Sequence, residues 1–211
     1  MNSAKLFVIS APSGCGKGTI LEKVFAKKEL FFSVSCTTRE IRPGEKEGVN
    51  YHYVTRKQFE KMIDDRDFLE FARYSDEYYG SPKAPVFEHL ARGTDVILEV
   101  EVEGGFQVRE KFSEAVLVFI LPPSMKELER RLVNRGTDKP EAIKKRLKRA
   151  GSEIRSSYRY DYVILNDDVD KAVEDLLTVM ESVRAGDDRA FRFSTKCDDT
   201  IKLIEKVITN A

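Results

Sequence analysis

Apolar residues in this chain come in two kinds of pattern. Short unbroken runs recur: Leu6 to Ile9 near the start, VLVFIL at 116–121 and YVIL at 162–165. Runs without alternation suit strands covered on both faces, as in a parallel sheet. Between them lie stretches with helical spacing, such as Ile20, Leu21, Val24 and Phe25 within 20–28, and the amphipathic segments 169–183 and 198–209. Strands are expected at 5–10, 32–34, 51–54, 68–74, 78–79, 96–102, 116–121 and 162–165. Helices are expected at 20–28, 56–64, 85–92, 105–111, 169–183 and 198–209, with a basic helical region from 125 to 158 broken at 136–140. Thr55 with Gln58, and Ser124 with Glu127, carry the spacing of helix starts. Gly93 reads as a helix stop, and Pro122 with Pro123 ends the strand before them. Strands alternating with helices predict an α/β fold with a mostly parallel sheet. The short, aromatic elements of 34–84 predict a small mixed lobe inserted into it.

Composition narrows the class without naming it. The 211 residues are 41% hydrophobic and 34% charged, the balance of a globular chain. Thirty-six basic residues offset 36 acidic ones, so no global charge draws the chain to nucleic acid or to a membrane surface. Neither partner is expected. Cys15, Cys36 and Cys197 make no metal-binding spacing, and an odd count points to free thiols in a reducing compartment. No apolar run approaches the roughly 20 residues of a membrane span, and the opening run is shorter than a secretory signal needs. A cytoplasmic location is the expectation.

The strongest chemical motif is Ala11-Pro12-Ser13-Gly14-Cys15-Gly16-Lys17-Gly18-Thr19, lying between the first strand and the first helix. It follows the phosphate-loop pattern GxxxxGK[ST] with two departures: Ala11 replaces the first glycine, and Gly18 replaces the hydroxyl residue after the lysine. Glycines at 14, 16 and 18 would let backbone N–H groups turn toward a phosphate chain. The helix that follows adds the positive end of its dipole, and Lys17 a mobile charge. Position 18 normally gives Mg²⁺ a hydroxyl; here Thr19 is the nearest candidate. Cys15 reads as a small side chain facing away from the ligand.

A second constellation lies in FFSVSCTTREIRPGEKEGVNYHY at 31–53. Arg39 and Arg42 sit close in a polar loop with Tyr51 beyond. Two guanidiniums and a phenol suit a phosphate monoester, although a solvated basic loop has the same composition. SVSxTTRxxRxGExxGxxY, with SAPSGxGK before it and YYGS after it, resembles guanylate kinase. So do ILPPS, RRLxxRGT and the late NDD at 166–168. The likeness runs from about residue 5 to about 183.

That resemblance implies a P-loop NTPase core, with a parallel sheet flanked by helices, at about 1–33, 85–123 and 160–211. It also implies an NMP-binding lobe at about 34–84 and a helical lid at about 124–159, all within one guanylate-kinase-like domain. It implies that residues 11–19 bind ATP and that Asn166 lies near the adenine. Arg39, Arg42, Tyr51 and Tyr79 would hold the GMP phosphate. Ser35, Glu70, Ser81 and Glu101 would read guanine. Lys17, Arg39, Arg135 and Arg146 would carry catalysis, with Arg131 a weaker candidate. The family has an Asp-x-Asp pair where this chain has Glu99 and Glu101, and Glu99 joins Thr19 as a candidate Mg²⁺ contact. A plain alternating strand face at Glu99, Glu101 and Glu103 is the competing explanation.

The expected reaction is direct in-line transfer from Mg²⁺-ATP to GMP, and to dGMP, in purine nucleotide metabolism. Guanine supports the assignment independently: its N1–H and N2–H₂ donate to a carboxylate such as Glu70, and serine hydroxyls donate to O6. A non-catalytic interaction module, a kinase for AMP or UMP, and a regulatory NTPase are the alternatives. A homodimer is left open.

Overall fold

The computed structural model describes residues 4–134, 136 and 139–209. In chain order the strands are β1 (Leu6–Ser10), β2 (Phe31–Phe32), β3 (Cys36–Thr37), β4 (His52–Tyr53), β5 (Phe68–Tyr74), β6 (Glu77–Pro82), β7 (Val96–Glu99), β8 (Val116–Leu121) and β9 (Tyr162–Leu165). The helices are α1 (Lys17–Lys27), α2 (Arg56–Asp64), α3 (Lys83–Ala91), α4 (Val102–Lys111), α5 (Met125–Asn134), α6 (Pro140–Ser156), α7 (Val169–Ala185) and α8 (Asp198–Thr209). One sheet has the order β2-β7-β1-β8-β9, with β2–β7 and β8–β9 parallel. The other has the order β4-β3-β6-β5 and pairs β6 antiparallel to both its neighbours. This is the α/β class expected. Every residue of β1 and β8 is buried, which explains their unbroken apolar runs.

The chain divides into two compact units. One holds Ser3–Val8 and Leu30–Ala115, the other Ile9–Glu29 and Val116–Ala211.

In the first unit, Phe59 of α2 stacks on Phe68 and Tyr78 at ring-centroid distances of 4.4 and 5.1 Å. With Cys36 they form the core beneath the four-stranded sheet. Gly80 of β6 is tightly enclosed, because a Cβ there would meet Phe59, Phe68 and Phe71 each at 3.0 Å. Helix α2 begins with the expected reciprocal cap. Gln58 N donates to Thr55 Oγ1, and Thr55 N donates to Gln58 Oε1 at 2.8 Å.

One expectation fails here. The alternation at 96–102 is not one strand: β7 stops at Glu99, and α4 starts at Val102 with Glu101 as its N-cap. Val100 and Val102 are both buried, so two inward valines flank a turn and imitate period two. Gly105 N donates to Glu101 O at 3.0 Å, closing the first helical turn. Glu103 lies in that turn, where the helix dipole favours an acid. The alternating strand face proposed for Glu99, Glu101 and Glu103 is therefore absent.

In the second unit, α7 is capped by the Asp168 side chain, which accepts from Lys171 N, and ends on Gly186 at φ 72°. The residues beyond Gly186 pack within this unit. Thr195 N donates to Asp161 O, Thr195 Oγ1 donates to Tyr160 O at 2.7 Å, and α8 buries Ile204 and Val207 and packs against α6.

Candidate active site

The phosphate loop belongs to the second unit. Gly14 and Gly16 both stand at φ +90°, which L side chains rarely adopt, so each needs to be glycine. A Cβ on Gly16 would also lie 2.6 Å from Asn166 Nδ2. Gly18 is different. It is an ordinary helical residue of α1, and a Cβ there would meet nothing within 4 Å. The conformational role expected for three glycines is confined to two. Lys17 is the first residue of α1, directly after the turn.

Cys15 is held on all sides. Its thiol is buried and donates to Ile120 O at 3.4 Å. Burial pushes the thiol up to about 12, against the opposing pull of Arg131 and Lys17. A thiol that resists ionisation is a poor nucleophile, in keeping with the packing role read from the sequence. Its carbonyl accepts from Asn166 Nδ2 at 2.6 Å and from Arg131 Nη1 at 3.3 Å.

Arg131 also donates to Glu127 at 2.9 Å and to Asn166 O at 3.1 Å. It therefore joins α5, the phosphate loop and the segment after β9. The basic spacing of the region does not reveal this job. Glu127 is held down to about 2, first by Arg130 and then by Arg131. Arg146 of α6 donates to Ser13 Oγ at 3.0 Å, so the loop meets one of its expected arginines. Asn166 is buried, with Nδ2 committed to the loop and Oδ1 without a hydrogen-bond partner among the described residues. Thr19 is exposed on α1. Arg135 lies outside the described residues.

The base-reading and phosphate-holding candidates belong to the first unit. Ser81 of β6 donates to Glu70 Oε1 at 2.5 Å, and Ser35 Oγ stands 3.2 Å from Ser81 Oγ. The single proton of Ser81 is given to Glu70, so Ser35 donates to Ser81. Glu70 and Ser81 are partners across β5 and β6, and both are buried. Burial raises the Glu70 carboxyl above its usual range and Glu101 raises it further, while the Ser81 hydrogen bond and Lys111 oppose the shift. Glu101 is exposed at the N-cap of α4, and its side chain makes no capping bond.

Arg39 is held by several partners. Both its terminal nitrogens donate to Glu45, at 3.0 and 2.8 Å, and Nη1 also donates to Glu40 O. Its guanidinium lies 5.5 Å from the Tyr51 ring centre and 5.9 Å from that of Tyr53. Tyr79 meets Tyr51 edge-on at 5.8 Å. The Arg42 side chain is exposed, and its backbone N–H donates to Glu45. Glu45, unassigned on sequence grounds, organises the group; the only hint was its place within RPGEKEG. Glu99 ends β7; burial is the main cause that raises the Tyr51 phenol, and the charge of Glu99 adds to it. Among the described residues no cluster of three His, Cys, Asp or Glu side chains forms a metal site.

The chain is similar to known proteins over most of its length. The family model described as guanylate kinase matches residues 3–183. A guanylate kinase of Thermus thermophilus is 50% identical over 180 residues, which cover 85% of this chain and 82% of the relative. One of Carboxydothermus hydrogenoformans is 53% identical over 181 residues, covering 85% and 89%. The crystal structure of guanylate kinase from Anaplasma phagocytophilum is similar with a TM-score of 0.71 at 31% identity, over 87% of each chain.

Proposed function

The chain belongs to the guanylate kinase family and phosphorylates GMP with ATP, and from that premise we propose which residues do so. Ser35, Glu70, Ser81 and Glu101 read the guanine. Arg39, Arg42, Tyr51 and Tyr79 hold its phosphate. Residues 11–19 cradle the ATP phosphates, and Asn166 closes the adenine end. The observation that carries this reading is the buried Glu70–Ser81–Ser35 chain. A buried carboxylate suits the N1–H and N2–H₂ of guanine, and serine hydroxyls that rotate suit O6. Adenine would present an acceptor nitrogen to Glu70 and leave a buried charge unpaired, a cost of ~3 kcal/mol or more.

The GMP phosphate is already a nucleophile, so no general base is needed. Catalysis rests on alignment and on charge. Lys17, Arg135 and Arg146 neutralise the transferring phosphoryl group, and Arg39 offsets the charge of the acceptor. Residues 34–84 serve as the GMP-binding lobe and 124–159 as the lid; closing on bound nucleotide excludes water. Thr19 and Glu99 would be this chain's contacts to a Mg²⁺ accompanying ATP, which would supply neutralisation of phosphate charge. Gly18 has no hydroxyl for it, and the described residues form no carboxylate cage, so Thr19 and Glu99 are supporting contacts at most. dGMP, which offers the same base and the same phosphate to these residues, is the second acceptor of this reading. The cytoplasm, which supplies these nucleotides, is the expected place of action.

ADP release with Mg²⁺-ATP, measured separately with GMP, dGMP, AMP, UMP and CMP, tests the assignment. Turnover with GMP should exceed that with AMP by ~100-fold or more and vanish in Lys17→Ala. A Glu70→Ala variant that keeps this preference would remove Glu70 from the base-reading set.

A further inference from the structure

Gly104 sits in the first turn of α4 and is buried. A Cβ built on it would stand 2.7 Å from Glu70 Oε2, 3.2 Å from Glu70 Cδ and 3.3 Å from Val100 Cβ. The other oxygen of that carboxylate, Oε1, takes the Ser81 hydrogen bond. One side of the Glu70 carboxylate is therefore gripped by a hydroxyl, and the other rests on bare helical backbone. A helix N-terminal turn favours a carboxylate there. Gly104 has no positive φ to explain its identity. Glycine in a helix is disfavoured against alanine by roughly 0.5–1 kcal/mol, so a close approach is the reason left standing.

We propose that Gly104 is a positioning residue for base recognition: its missing side chain sets where the Glu70 carboxylate stands, and through it the preference for guanine. This rests on the assignment of Glu70 to guanine. A methyl at 104 must push the carboxylate away, because the two nearest contacted atoms are its own Oε2 and Cδ, and the nearer of them, at 2.7 Å, is the end of a flexible side chain; Val100 Cβ follows at 3.3 Å. The displaced carboxylate would lose its alignment with the guanine donors while the fold keeps a residue better suited to a helix.

The test is a double-mutant cycle on the full chain. Steady-state KM for GMP and for ATP, the GMP-to-AMP ratio of kcat/KM, and Tm are measured for wild type, Gly104→Ala, Glu70→Ala and the double variant. Gly104→Ala should raise KM for GMP ~10-fold or more and reduce the GMP-to-AMP ratio, leaving KM for ATP unchanged. In the Glu70→Ala background the same substitution should change KM for GMP less than ~2-fold. Lys202→Ala, at an exposed position of α8, is the control, and GMP kinetics should not move. If Gly104→Ala does not fold, pairing it with Glu70→Asp decides the matter. The shorter acid draws back from position 104, so the pair should fold and match Glu70→Asp alone.

Equal effects of Gly104→Ala with and without the Glu70 carboxylate would overturn the proposal, as would no effect in the wild-type background. If Glu70→Ala itself leaves KM for GMP unchanged, the guanine assignment fails and this inference with it. If Glu70→Ala raises KM and Gly104→Ala does not, only the role of Gly104 fails.

Discussion

Arg39 and Glu45 form a two-point ion pair, Nη2 to Oε1 at 2.8 Å and Nη1 to Oε2 at 3.0 Å. The same carboxylate accepts the Arg42 backbone N–H and the Tyr53 hydroxyl, at 2.9 and 2.8 Å. Arg39 holds Glu45 down to about 2, the largest of several causes. The carboxylate therefore stays ionised at any working pH, and the guanidinium is oriented before a phosphate arrives. Glu45→Gln keeps the shape and removes the charge. KM for GMP should rise ~10-fold while KM for ATP stays level, because the fork geometry of Arg39 loosens. Equal changes in both constants would point to a general folding defect instead.

Glu70 should trade stability for function. Its carboxyl is raised by burial, so ionising it costs more in the folded chain than in the unfolded one. A group raised in the folded state contributes no penalty below its unfolded value. The penalty grows as pH climbs past that value toward the folded one, and it persists above. Glu70→Gln should therefore raise Tm at pH 7.5, with the gain disappearing toward pH 4, and should weaken the choice of guanine over adenine. Thermal unfolding of both proteins across this range checks the sign. A variant less stable than wild type at pH 7.5 would contradict it.

The glycines of the phosphate loop should respond unequally. Gly18→Ser adds a side chain into open space and should leave Tm within ~1 °C and ATP turnover within ~3-fold. Gly16→Ala must hold φ +90° and press on Asn166, and should lower kcat/KM for ATP ~100-fold. Similar losses in the two variants would mean that position 18 has a conformational role the structure does not display.

Thiol chemistry gives an independent check on burial. Cys15 and Cys36 are buried, with their thiols pushed up to about 12 and about 11, whereas Cys197 is partly exposed. Titration of the native protein with a thiol-specific disulfide reagent at pH 8 should count one fast-reacting group, and three after unfolding. Rapid labelling of Cys15 in the folded protein would refute its packing against Ile120.

Removing the residues after Gly186 should destabilise the second unit. The cut takes away the buried Ile204 and Val207 and the Thr195 bonds to Tyr160 and Asp161. Each buried aliphatic is worth roughly 1.5–3 kcal/mol, so Tm should fall by at least about 6 °C. No change in Tm would show that this segment adds nothing to the fold.

Most of the fold was legible because its signals are local. The unbroken apolar run of β8 is matched residue for residue, the Thr55–Gln58 cap starts α2, and the amphipathic pattern of α8 spans Asp198–Thr209. The failure at 96–102 has a physical cause. Val100 and Val102 face inward on either side of a turn, and two buried residues two apart look the same whether a strand or a helix start carries them. The candidate site was legible to the extent that its chemistry sits in contiguous motifs. Gly14, Gly16 and Lys17 meet the helix start as the loop pattern demands, and Arg39, Tyr51 and Tyr79 come together.

By itself the sequence determined the order of elements, the phosphate loop and the types of charge and hydroxyl groups available, since these depend on neighbours along the chain. Only the tertiary structure decided which groups those charges meet. Glu45 closes on Arg39, Arg131 ties the Cys15 carbonyl to Asn166, and Gly104 leaves room for Glu70. Partners of this kind are separated by 116 residues for Arg131 and Cys15. A hydrogen bond or a missing methyl acts over a few ångströms of space, and the packing that brings such distant residues within that range is not written in local spacing.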